Sequence, residues 1–300
     1  MKNLTLFIAV LLVLFIASTK SVAQQNTSAD SIVNTVSTEK QSYGLVSTNY
    51  NSNIVFLGRK SLSNAPYLSA FAGYYHKSGL FINGGASYLA ASGPNRFDLF
   101  TVTTGYDYYL KSFSAGLYGT KYFFNNKSTT VKSELSGYVG AYADYDFDLA
   151  DVYIDASAYF GNTSDFILGA AVSRIFYAAN DKLRFTPTFY LNAGTQNYYS
   201  NYNNNRRFGR HMLNGGALQS TGSGMMGVGS FKVLDYELSV PVTYTQKKLR
   251  ISFTPVFAIP VSAATITNGQ DTYKEDLSNS FFWSLGLSYK IFSNNKKHTP

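Results

Sequence analysis

Ser280 to Phe292 reads Ser-Phe-Phe-Trp-Ser-Leu-Gly-Leu-Ser-Tyr-Lys-Ile-Phe, and from Trp283 onward it alternates strictly. Trp283, Leu285, Leu287, Tyr289 and Ile291 fall on one face, and Ser284, Gly286, Ser288 and Lys290 on the other. A period of two with one apolar and one wet face is a strand. A strand of a soluble sandwich has the same period, but here the wet side is small and polar, as a lumen requires. An aromatic opens the apolar face and another nearly closes it, which is how a membrane barrel marks its two water interfaces.

The whole chain has the composition to match. Aromatics make up 16% of it, through 25 Tyr and 23 Phe, while charged residues are only 14%, against roughly 25% in an average soluble domain. Such a chain is rich in strands and interfaces. Cysteine is absent, which excludes disulfides, thiolate chemistry and a lipoprotein anchor. Met1 to Ala23 reads as a secretory signal, with Lys2, an apolar core from Leu4 to Ala17, and the small-residue site Ser21-Val22-Ala23. Taking Lys2 and Lys20 from the 25 basic residues leaves 23 against 17 acids, a mild charge of +6 that calls for no nucleic acid. No later segment reaches the length of a spanning helix, so any membrane crossing is made by strands.

Residues 24–41 form a polar leader, and 42–292 read as one all-β domain. Its expected strands are Tyr43–Gly58, Tyr67–His76, Leu80–Ala90, Phe97–Tyr109, Phe113–Phe124, Glu134–Phe147, Val152–Phe160, Asp165–Tyr177, Leu183–Gln196, Phe231–Thr245, Leu249–Val261 and the closing Ser280–Phe292. About twelve strands of ten to fifteen residues exceed the ~5–6 of a soluble strand and match the ~9–11 that cross a bilayer at a slant. Connections alternate too: short at Lys77–Gly79, Leu110–Ser112, Asp148–Asp151, Ala178–Lys182 and Gln246–Lys248, and long in between, with Gly161–Ser164 the one short exception. That parity predicts an antiparallel up-and-down transmembrane β-barrel with long loops at one end. Against it stand Pro187, Pro241, Pro255 and Pro260 inside predicted strands, since proline donates nothing to a ladder.

The closing strand resembles that of Gram-negative outer-membrane β-barrels, with its alternating apolar residues and its aromatic near the end. Here Ser293 to Pro300 run past that aromatic as a tail, and Ile291 rather than Phe292 has the lipid-facing parity. The resemblance covers Tyr43 to Phe292 and implies an outer-membrane location with both termini in the periplasm.

Alternation turns Asp107, Glu134, Asp144, Asp146, Asp155, Asp235 and Glu237 inward, with Arg184, Lys248, Arg250 and Lys290. Such groups either brace a narrow barrel as ion pairs or screen solutes by charge. Tyr138, Tyr142, Tyr153, Tyr159 and Tyr190 share that side and either stack on a solute or fill the lumen. Arg206, Arg207, Arg210 and His211 cluster in the longest loop, Asn197–Gly229, where they would meet anionic glycolipid or an acidic ligand. Catalysis has few parts: His211 shares its loop with Ser220 and Ser223, without a nucleophile turn or paired carboxylates. Metal-ligand spacing is absent and no cofactor is implied. The function expected is a narrow passive or gated pore for a small polar solute; the alternative is a closed barrel acting through its outer loops as a surface anchor or binding protein.

Overall fold

The computed structural model describes residues 41–60, 65–90, 95–128, 130–202, 224–227, 229–268 and 271–292. Twelve antiparallel strands form a closed ring. They are β1 (Tyr43–Asn51), β2 (Tyr67–Tyr75), β3 (Leu80–Leu89), β4 (Arg96–Leu110), β5 (Phe113–Phe124), β6 (Leu135–Asp146), β7 (Asp151–Gly161), β8 (Ser164–Ser173, then Phe176–Ala178), β9 (Leu183–Phe185, then Thr188–Gly194), β10 (Lys232–Ser239, then Val242–Gln246), β11 (Leu249–Pro260) and β12 (Ser280–Phe292). Each strand pairs with the next, and β1 closes the ring on β12 from Tyr43↔Phe292 to Asn51↔Ser284. Closure leaves no edge to satisfy in lipid.

The apolar face points outward. Leu117 is 63% exposed, and Val102, Val139, Ile154, Leu168, Leu285 and Leu287 join it in an aliphatic band. Toward the short turns the band ends in exposed tyrosines: Tyr74, Tyr106, Tyr108, Tyr145, Tyr177, Tyr244 and Tyr289. Toward the long connections it ends in phenylalanines, among them Phe97, Phe123, Phe160, Phe166, Phe231 and Phe281. Two aromatic belts around an apolar band are the surface a bilayer covers.

The short turns reverse tightly because each carries a residue in the left-handed region: Gly79, Lys111, Asp148, Asn180 and Lys247 all have positive φ. The prolines are accommodated by one crease. Strands β8, β9 and β10 are interrupted at residues 174–175, 186–187 and 240–241, and Thr254 and Pro255 of β11 lie opposite the last gap. Pro187 and Pro241 therefore sit between strand runs, and their carbonyls accept from Arg174 N (3.2 Å) and Thr186 N (2.9 Å) across the crease. Pro260 is the last residue of β11.

Three expectations need correction. The strand read as Tyr43–Gly58 stops at Asn51; the chain then makes a ladder of its own, Val55–Phe56 with Arg59–Lys60. Leu135, whose alternation with the inward Glu134 gives it lipid-facing parity in the expected strand Glu134–Phe147, is buried inside at 3% exposure, because a bulge between Leu135 and Gly137 shifts the register. Lys248, read as inward, is exposed in the β10–β11 turn, where its carbonyl accepts from Lys290 N at 2.9 Å.

Candidate functional site

Inside the ring the lumen falls into three layers. The middle layer is a cavity of about 270 Å³ walled by Tyr118, Tyr138, Tyr142, Tyr153, Tyr159 and Tyr190, with Asp107, Asp155 and Glu237 among them. The rings form a continuous ladder: Tyr138 stacks on Tyr159 with centroids 4.8 Å apart, Tyr142 on Tyr153 at 5.9 Å, and Tyr118 meets Tyr138 edge-on at 5.7 Å. Glycines on neighbouring strands seat these rings. A methyl at Gly116 would overlap the Tyr142 ring, one at Gly140 would meet Tyr118, and one at Gly169 would overlap the Tyr190 hydroxyl. The tyrosines thus occupy space that a side chain on the neighbouring strand would take, which leaves the centre of the cavity open. Tyr142 donates to Asp107 at 2.8 Å and Tyr190 donates to Asp155.

The layer at the short turns is charged. Asp151 of β7 lies within electrostatic reach of Asp144 and Asp146 of β6 and of Arg184 on β9. Arg250 on β11 interacts with Arg184 and Tyr43, and Lys290 on β12 sits 4.7 Å over the Tyr43 ring. Acids therefore occupy one arc of the wall and bases another.

The layer at the long connections is a folded cap. Phe56, Leu57, Val131, Tyr198, Tyr199 and Ala264 come from four different connections and pack with Tyr122, Leu135, Ile167 and Leu234 of the wall into one apolar cluster. Helix α1 (Asn197–Tyr202) enters this cluster because Asp165, at the start of β8, accepts from its first amides, Asn197 N at 2.7 Å and Tyr198 N at 2.9 Å. Negative charge at that end also suits the helix dipole. Glu275 ties the cap together. One of its oxygens takes Arg59 Nη2 and Ala264 N, each at 3.1 Å, and the other takes the Tyr199 hydroxyl. Arg59 also donates to the Ser262 carbonyl at 2.7 Å and lies 4.3 Å over the Tyr199 ring. Burial works against the Arg59 charge, but Tyr198, Glu275 and Tyr199 outweigh it and hold its pKa above the ordinary value. Asp98 is a second tie, accepting from Tyr67, from Ser128 at 2.7 Å and from Arg96 at 2.8 Å.

Of the residues read as inward from the sequence, Asp107, Asp155 and Glu237 reach the cavity, and Asp144, Asp146, Arg184, Arg250 and Lys290 the charged layer. Asp235 is fully buried beside the cap and accepts from Asn192 at 2.8 Å. Glu134 lies outside the strands altogether, in a 3₁₀ turn (Val131–Glu134) before β6. Arg206, Arg207, Arg210 and His211, with Ser220 and Ser223, lie outside the described residues, as do the signal, all of the leader but Gln41, and the tail. Alternation alone did not single out Arg59, Glu275 and Asp165, whose partners are distant in sequence. Among the described residues no group of His, Asp and Glu could hold a metal ion.

No family model and no curated protein matches the sequence. Solved structures do. The KdgM porin is similar at 10% identity and a TM-score of 0.44, over 82% of this chain and 98% of its own. The NanC porin matches at 12% identity and 0.46, over 83% and 100%. The COG4313 outer membrane channel from Pseudomonas putida F1 matches at 11% and 0.44, over 84% and 96%.

Proposed function

We propose that this protein is an outer-membrane channel for a small polar solute, closed in the observed state by its cap. Both chain ends and the short turns face the periplasm, and the long connections face outward. The carrying observation is the tyrosine-walled cavity with carboxylates in its lining, inside a closed barrel, between an apolar cap and a charged layer. A solute enters when the cap segments part, rests against the tyrosine wall, and leaves past the opposed acids and bases at the short turns. Passage is diffusion down a gradient and involves no catalytic step or cofactor. Lipid covers the belt, and Arg206, Arg207, Arg210 and His211 meet anionic glycolipid headgroups.

The test is conductance of the refolded chain from Gln24 onward in a planar bilayer. Discrete steps that become more frequent in Glu275→Gln, and that change ion preference in Asp144→Asn or Arg250→Gln, are expected. Correct insertion with silence in the wild type and in Glu275→Gln overturns the channel. That outcome supports the second reading, a closed barrel that binds through its outer face, which the apolar packing of the cap favours.

A further inference from the structure

We infer that the tyrosine-walled cavity is a binding site for a small organic cation, a protonated amine with a short apolar body. This rests on the channel reading above and adds the class of solute. The first support is the sign of the charge. Among the described residues the cavity is lined by three carboxylates, Asp107, Asp155 and Glu237, and by one basic side chain, Lys132. Lys132 stands at the roof, 4.9 Å over the Tyr122 ring and 5.5 Å over Phe56. Arg184, Arg250 and Lys290 are not part of the lining; they lie below, at the short turns. An anion in the cavity meets Asp107 and Asp155, which accept from tyrosine hydroxyls, in surroundings of low dielectric, and a cation is drawn in.

The second support is the wall. Tyrosine faces carry negative quadrupole density and attract ammonium groups, an effect that grows when water is excluded. Tyr118, Tyr142, Tyr153 and Tyr190 line the cavity together with the carboxylates. Tyr142 and Tyr190 donate to Asp107 and Asp155, which holds both acids in place with acceptor capacity to spare. An ammonium can therefore donate to Asp107 or to Asp155, which stand in one row three strands apart, while its carbon chain lies along the rings. The third support is size. A cavity of about 270 Å³ has room for a short amine and lies just below the size of pockets that take drug-sized ligands.

The test uses the full chain refolded in detergent, titrated calorimetrically with propylammonium, propionate and glucose, a cation, an anion and a neutral polyol. Propylammonium is expected to bind at least tenfold more tightly than either of the others. Asp155→Asn and Asp107→Asn each weaken it by tenfold or more and leave the heat-modifiable gel mobility of the folded barrel intact. Equal or tighter binding of propionate or glucose, or no binding of propylammonium by the wild type, overturns the inference even if the variants fail to fold. The two readings fail separately. A barrel that conducts without binding propylammonium refutes the cation site alone, and one that binds it but never conducts refutes the channel alone.

Discussion

Glu275 shows how much of the cap depends on a single side chain. Its carboxylate gathers Arg59, Tyr199 and Ala264 from three connections, and its side chain is 7% exposed against 2% for Arg59. Removing one partner of a buried pair leaves the other charged and uncompensated, at a cost of about 3–5 kcal/mol. Glu275→Ala is therefore expected to loosen the cap without unfolding the barrel, so that trypsin cuts the folded protein after Arg59 or Lys60 where the wild type resists. Unchanged resistance would show that the apolar cluster holds the cap unaided. Gly169 makes the opposite point, about a residue whose side chain must be missing. A methyl there overlaps the Tyr190 hydroxyl and meets Asp155, so Gly169→Ala pushes the ring into the cavity. Unit conductance should fall while gel mobility stays that of a folded barrel. The Gly169–Tyr190 fit could not be read from the sequence, because the two residues come together only through the register Ala171↔Tyr190 and Gly169↔Asn192. Asp107 and Asp155, by contrast, were legible from parity alone.

Among the elements, β12 was the easiest to read and the β1 connection the hardest. Leu285, Leu287, Tyr289 and Ile291 are 44–50% exposed on the outer face, as their alternation demands. Alternation is reliable where both neighbours pair in regular register, as Thr48 and Ile251 do with Leu287. It fails at bulges: one extra residue, Ser136, reverses inside and outside for the start of β6. The end of β1 was misread because Asn53 does not continue the ladder; its side chain accepts from the amides of Ile54 and Ala65 and turns the chain inward. The proline objection fails for a reason of position, since the breaks align across neighbouring strands and Pro187 and Pro241 serve only as acceptors. The two faces of β12 lead to a paired prediction. Leu287→Arg places a charge between the aromatic belts and should cost ~2–4 kcal/mol. Ser288→Arg, on the lumen side, should cost far less. Urea unfolding in lipid vesicles compares them, and equal losses would mean that the outer face of β12 is not in lipid.

For the molecule as a whole, the closed ring is what lets a chain with so few charges keep its backbone out of reach of water. Composition, strand length and the parity of the connections announced such a ring, because those features follow from crossing a bilayer back and forth. The cap was not announced, since its members are short segments joined by contacts distant in sequence, such as Arg59 with Glu275 and Tyr67 with Asp98. The ring depends on its seam. Tyr43, Gly44, Leu45 and Val46 pair with Phe292, Ile291, Lys290 and Tyr289, and Leu249 pairs with Tyr289 from the other side. A chain ending at Ser288 loses these rungs and leaves the start of β1 with unpaired amides and carbonyls, and each such group that lipid keeps from water costs several kcal/mol. It also loses Lys290 from over the Tyr43 ring and Tyr289 from the tyrosine belt. A chain ending at Phe292 keeps every rung. The shorter chain should fail to give a heat-modifiable band when refolded into detergent, whereas the chain ending at Phe292 should fold as the full-length protein does. If both fold alike, closure is held by the middle of the seam, from Ser47↔Ser288 to Asn51↔Ser284, and the last four residues of β12 serve only to anchor it at the interface.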